Sequence, residues 1–389
     1  MCMRGGKAAL LAKITSRIPS FRSVPLKETV AGSSPPSVFI GAYGYPKVFV
    51  GPLLPPFFGD TRLYDAPEEW IPSGMDSTDV LALRLQLVRG KQAVDVRDQG
   101  KVAEMAREIA LARDSTEVEI RFRAPPRGGF LHEEVQPFGP SAEIRDLRIN
   151  PARWDGKLES AFYDTDLRAR DAVLELYEKG VPFSSLQRAL SVGAFGLGRK
   201  RRFVPTRWSI TAVDSILSSN LLSEIREFPP LETVQVYAFE SFGNRYMALF
   251  YPSLWQFEWV EAFFSHFPGD PRISVFADHE YAEGKKGYSQ VGGCYYSAKL
   301  AVLERMRKMG RQAGVLILRE AYDDYIPLGV WNVRENLRQA MHGKPLEFES
   351  FESGLQYMFS KLRVPEKEWW ANSETLKKNY RQASLAQFV

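Results

Sequence analysis

Four adjacent cations, Arg199, Lys200, Arg201 and Arg202, stand just ahead of the run Phe203-Val204-Pro205-Thr206-Arg207-Trp208-Ser209. Like charges packed this densely repel one another, and a polyanion laid alongside relieves the repulsion. Thr206 or Ser209 is placed to cap a following helix, whose N-terminus adds partial positive charge for a phosphate. Arg207 beside Trp208 joins a phosphate clamp to a stacking surface for a base. The structural alternative is a solvated basic loop with a packed tryptophan. A second cluster is Arg319-Glu320, at the end of an apolar run, with Arg334-Glu335 further on. Catalytic charges collect at such strand ends, and a buried ion-pair network that fixes packing would use the same residues. Asp164 and Asp166, and the run Asp278-His279-Glu280, have the chemistry to hold a divalent cation or move a proton. Caps and turns use the same residue types. None of the four histidines belongs to a recognisable serine-nucleophile pattern. A divalent metal or a nucleotide therefore remains an open cofactor class.

The chain ends Gln382-Ala383-Ser384-Leu385-Ala386-Gln387-Phe388-Val389. One tight helical turn would bring Leu385, Phe388 and Val389 onto a single face. The spacing resembles the box by which replication and repair proteins hold the DNA sliding clamp, PCNA, with Gln382 in a polar pocket and the apolar trio in a groove. Burying three such side chains contributes about 1.5–3 kcal/mol each, and ordering a free tail costs roughly 2–5 kcal/mol. The surplus suits a tether of roughly micromolar or weaker affinity. The alternative is that Phe388 and Val389 fold back onto the protein's own core.

The elements that position these residues follow from periodicity and turn chemistry. With 389 residues, 44% hydrophobic, the chain can bury a large core. A net charge of +4 is too small for the whole surface to attract nucleic acid, so any such contact must be a local patch. No apolar run is long enough for a membrane span, and the protein is expected in the cytoplasm without a membrane partner. Two cysteines exclude a disulfide framework and a four-cysteine zinc site within the chain. Residues 1–37 read as an extension ending in a linker, Ala31-Gly32-Ser33-Ser34-Pro35-Pro36, with a compact domain from Val38. Two strands are expected around Gly44-Tyr45-Pro46, and helices over 77–89, 101–113, 166–179, 211–225 and 295–309. Strands are expected over 118–122, 233–239, 246–251 and 315–319. Helix and strand alternate without a repeat and without a glycine-rich phosphate loop. The fold class is therefore α+β, a mixed sheet with packed helices in one large or two tightly associated domains. The expected organisation is 1–37, 38–275, 276–380 and a flexible peptide 381–389.

Five segments together resemble the archaeal Nre family of DNA repair proteins. They are Gly44-Tyr45-Pro46 with Val50-Gly51-Pro52; Gly59-Asp60-Thr61 with Pro67-Glu68-Glu69-Trp70; Val204 to Thr211; Gly292-Gly293 with Leu300 to Glu304; and Gly329 to Glu335. The resemblance implies a partner of the sliding clamp acting at damaged DNA, near the nucleoid, with the clamp contact on Gln382, Leu385, Phe388 and Val389. Many relatives begin with a zinc finger. Here Cys2 stands without further ligands at Ala12 and Ile18, so the region is a degenerate one and no N-terminal zinc is expected. Ala42 stands where relatives tend to carry a basic residue. Three functions follow: a clamp-recruited repair factor that touches DNA, a hydrolase or nuclease using Arg207, Arg319 and carboxylates, and a non-catalytic adaptor.

Overall fold

The structure, a computed structural model, describes residues 26–129, 135–265 and 269–379. It divides into two compact units, 26–217 with Pro327–Val330, and 218–326 with 331–379. Each carries its own six-stranded mixed sheet.

The first sheet has strands β1 (Thr29–Ser34), β2 (Val38–Ile40), β3 (Lys47–Leu54), β4 (Val88–Asp95), β5 (Thr116–Phe122) and β6 (Ser141–Ile149). Their order is β1-β5-β6-β4-β3-β2, with β4 and β6 parallel and the other pairs antiparallel. β5 alternates strictly: Val118, Ile120 and Phe122 point into the core while Glu117, Glu119 and Arg121 face solvent. Helices α1 (Pro67–Trp70), α2 (Ser77–Leu85) and α3 (Lys101–Ala110) follow the early strands, and α4 (Gly156–Tyr163), α5 (Ala169–Glu178) and α6 (Phe183–Ser191) the last one. The Asp76 carboxylate and the Asp79 side chain start α2 as a reciprocal capping box. Helix α7 (Thr206–Ile225) contains the division between the units.

The second sheet has strands β7 (Val234–Ser241), β8 (Asn244–Tyr251), β9 (Gln256–Phe264), β10 (Ile273–Glu280), β11 (Gly314–Ala321) and β12 (Leu346–Phe348), in the order β10-β9-β11-β8-β7-β12. Only β9 and β11 run parallel. β11 is buried along its whole length, as a central strand covered on both faces must be. On one face Leu249, Val260, Leu316 and Leu318 pack with Leu355, Met358, Val364, Trp369 and Leu376. These come from α10 (Phe351–Lys361), α11 (Glu366–Asn372) and the chain around them. On the other face Tyr295 of α8 (Gly293–Met309) meets Phe257 at 5.1 Å, and α9 (Trp331–His342) lies beside α8.

The α+β class agrees with expectation. The supposed linker does not: residues 29–34 form an edge strand paired with β5, so ordered structure starts before Val38. The helix over 77–89 stops at Leu85, because Val88 already enters β4. α7 starts at Thr206, five residues before the expected 211, with Pro205 immediately ahead of its first turn. The tail peptide 381–389 and the N-terminal region lie outside the described residues.

Candidate nucleic-acid interface and buried arginine centre

In the first unit the basic run folds as a short 3₁₀ turn, Gly198–Lys200, followed by extended chain. Arg199, Lys200 and Arg202 are exposed. Arg201 is not aimed outward. Its Nε donates to the Gly196 carbonyl at 2.8 Å, and its two other nitrogens donate to the carbonyls of Phe162 at 2.6 Å and Asp164 at 2.9 Å. Gly193 lets the backbone at Arg202 pack close: its φ is +67°, and a Cβ there would sit 2.6 Å from the Arg202 carbonyl oxygen.

Neither expected cap acts as one. Thr206 Oγ1 accepts from Ile40 N at 2.9 Å, tying α7 to β2. Ser209 Oγ is buried, donates to the Thr206 carbonyl and accepts from Gln187 Nε2 at 2.9 Å. The early start of α7 puts Arg207 and Trp208 on its exposed first turn. Trp208 is 44% exposed and lies 5.1 Å from the Tyr45 ring, itself 44% exposed. Tyr43, on the same loop, is 92% exposed. The loop turns at Gly44, φ +86°, beneath which a Cβ would lie 2.8 Å from the Lys47 carbonyl. Aromatic faces held in solvent beside cations are surfaces on which bases stack. Asp164 Oδ1 accepts from the backbone N–H groups of Asp166 and Leu167, closing a local turn. An open cleft of about 590 Å³, lined by Arg113, Arg153, Trp154, Asp155 and Glu159, contains none of the candidate residues.

In the second unit Arg319 and Glu320 point to opposite sheet faces, as neighbours on a strand must. Register sets Arg319 beside Glu261 of β9 and Tyr246 of β8. The guanidinium donates to Glu261 at 2.8 Å and to Asn244 Oδ1 at 2.7 Å and 3.0 Å, and lies near the rings of Tyr246, Phe263 and Tyr325. Burial alone would lower its pKa, but the surrounding Tyr246, Tyr325 and Glu261 raise it well above the ordinary arginine value. Cys294 Sγ is 3.9 Å from Arg319. Arg334 contacts Glu335 at 3.3 Å, and Arg338 bridges Glu335 and Glu304. Glu320 accepts from the backbone N–H groups of Arg363 at 2.7 Å and Val364 at 2.6 Å and from Tyr322 Oη at 2.9 Å. Burial raises its pKa.

The carboxylates considered for metal or acid–base work are likewise engaged. Asp278 accepts from Lys285 Nζ at 2.5 Å, Ser289 Oγ at 2.8 Å and Gln290 N at 2.8 Å. Burial pushes its pKa up, and these donors reverse the direction. Glu280 accepts from Trp255 Nε1, Tyr295 Oη and Lys299 Nζ. His279 packs edge-on against Tyr281. Among the described residues no group of three or more His, Cys, Asp or Glu is arranged to hold a metal ion. The candidates Gln382, Leu385, Phe388 and Val389 lie outside the described residues.

Two family models match, the archaeal Nre N-terminal region over residues 3–267 and the archaeal Nre C-terminal region over 280–388. The chain belongs to the archaeal Nre family. It is 38% identical to DNA repair protein NreB of Archaeoglobus fulgidus, over 99% of this chain and 98% of that one. It is 35% identical to DNA repair protein NreA of the same organism, over 94% and 92% of the two chains. It is 34% identical to DNA repair protein NreA of Haloferax volcanii, over 84% and 82%. No solved structure matches. Within the Nre fold seen here, Tyr45, which the sequence placed in a turn and in a family segment, lies against Trp208, and Tyr43, which the sequence did not single out, is exposed on the same loop. The available signal was two tyrosines flanking a glycine in a loop.

Proposed function

We propose that this protein is a DNA repair factor that holds single-stranded or unpaired DNA on the Tyr43, Tyr45 and Trp208 surface, with Arg207 beside Trp208 and the exposed Arg199, Lys200 and Arg202 as further phosphate contacts, and is brought to DNA by the sliding clamp. The observation that carries the reading is Trp208, kept half in solvent against Tyr45 at the first turn of α7. A tryptophan and a tyrosine left this open are apolar area that a base can cover. The names of the relatives support repair as the setting. The C-terminal spacing of Gln382, Leu385, Phe388 and Val389 supports the clamp as the tether, which raises local concentration at DNA without high intrinsic affinity. The pairing of Arg319, Glu320, Arg334 and Glu335 inside the second unit favours a packing role for them over catalysis.

Titration of a labelled single-stranded oligonucleotide tests the DNA contact. Trp208→Ala is expected to weaken binding by roughly tenfold or more, as loss of one stacked base would; unchanged affinity would remove Trp208 from the interface. Phe388→Ala is expected to abolish capture by immobilised clamp, and undiminished capture would discard the tail as the tether.

A further inference from the structure

Arg89, on β4 of the first unit, is a cation that the exposed patch does not use. It is 8% exposed. Its guanidinium carbon lies 4.2 Å from the Phe39 ring centroid and 5.2 Å from that of Phe138. One nitrogen donates to the Phe49 carbonyl at 3.1 Å, while the buried Nε has no partner. Among the described residues no carboxylate pairs with it, in contrast to Arg84 and Arg188 of the same unit, which share Asp65. Burial without an opposing charge pulls its pKa down to about 9. The rings attract the cation, but they leave the Nε–H without an acceptor.

The Nε is closed to solvent, and the guanidinium as a whole lies at the base of an exposed loop. Gly41 N donates to the same Phe49 carbonyl at 2.9 Å, and a Cβ on Gly41 would lie only 3.8 Å from the Arg89 guanidinium. Ile40, one residue earlier, is tied to Thr206. Arg89 thus sits at the root of the loop that carries Tyr43 and presents Tyr45 to Trp208. Lys91, two residues along β4 and on the same side of the strand, holds its Nζ 5.8 Å from the Phe49 ring centroid. We propose that Arg89, with Lys91 beside it, binds a phosphodiester oxygen of a nucleic-acid strand whose bases meet Tyr45 and Trp208. The proposal rests on the nucleic-acid reading of that patch.

The test uses the full chain, a fluorescein-labelled single-stranded oligonucleotide titrated over a range of salt, and thermal denaturation of the free protein. Arg89→Met is expected to weaken binding by roughly tenfold and to reduce the salt slope by about one phosphate contact. It is also expected to raise Tm, because an apolar chain of similar length replaces a buried charge that no carboxylate among the described residues pairs. A lower Tm with unchanged affinity and salt slope would make Arg89 a packing residue and overturn the proposal. If Trp208→Ala weakens binding and Arg89→Met does not, only the Arg89 proposal fails; if Trp208→Ala has no effect, the patch reading itself fails. Should Arg89→Met not fold, the Nε–H resonance of Arg89, assigned by its loss in Arg89→Lys, gives the answer. A shift on oligonucleotide addition upholds the contact, and an unmoved resonance overturns it.

Discussion

Arginines six positions apart in sequence do different work here. Arg201 is half-buried over the Phe162 ring, with three carbonyls around its guanidinium, and burial lowers its pKa. Arg207 is exposed on the first turn of α7. Arg201→Ala should therefore lower Tm by leaving three carbonyls without their donor, a loss of about 1–3 kcal/mol, with little change in the salt dependence of DNA binding. Arg207→Ala should leave Tm within the small range of surface substitutions and reduce the salt slope by about one. Denaturation and salt titration of the two variants check this pairing of effects; the reverse pattern would exchange their roles. The sequence showed a block of four cations and gave no means to single out Arg201. The distinction depends on where the carbonyls of Gly196, Phe162 and Asp164 arrive, which is a matter of tertiary structure.

At the scale of elements, two buried carboxylates hold the chain that leads to the C-terminal peptide. Glu320 of β11 holds the backbone at 363–364, and Glu258 of β9 holds the start of the helical turn 374–379. Glu258 accepts from Ser373 Oγ at 2.7 Å, Glu374 N at 2.7 Å and Thr375 N at 2.9 Å, so it caps that turn from outside it. Glu258→Ala leaves these donors unmet and should destabilise the second unit by about 1–3 kcal/mol. Amide exchange at 374 and 375 should speed up more than exchange in β11, and equal protection before and after the substitution would refute the capping role. Most of the elements carrying these residues were legible: the apolar run of β11, and the periodic face of α8 ending at Gly310 with φ +63°. β1 was not, because its Gly-Ser-Ser-Pro-Pro flank carries a linker's composition; pairing with the alternating face of β5 overrides it. The Arg319 centre was half legible. Its charges stood out, but its partners Glu261 and Tyr246 come from strand register, which no local pattern encodes.

For the molecule as a whole, a net charge of +4 provides no general attraction for a polyanion. On the proposed function, recognition rests on a local patch where a cation and aromatic faces coincide in the first unit, the surface of Tyr43, Tyr45, Arg207 and Trp208. The second unit buries Arg319 against Glu261 and Arg334 against Glu335, while its buried Glu320 and Glu258 take backbone N–H and hydroxyl donors. No helix among the described residues is long and apolar enough to cross a membrane. The measurement that tests the central claim most directly is photochemical cross-linking of a single-stranded oligonucleotide to the full chain, followed by mapping of the attached peptides. Cross-links are predicted on the peptides containing Tyr43, Tyr45 and Trp208. Cross-links confined to the second unit, with none on those peptides, would contradict the account.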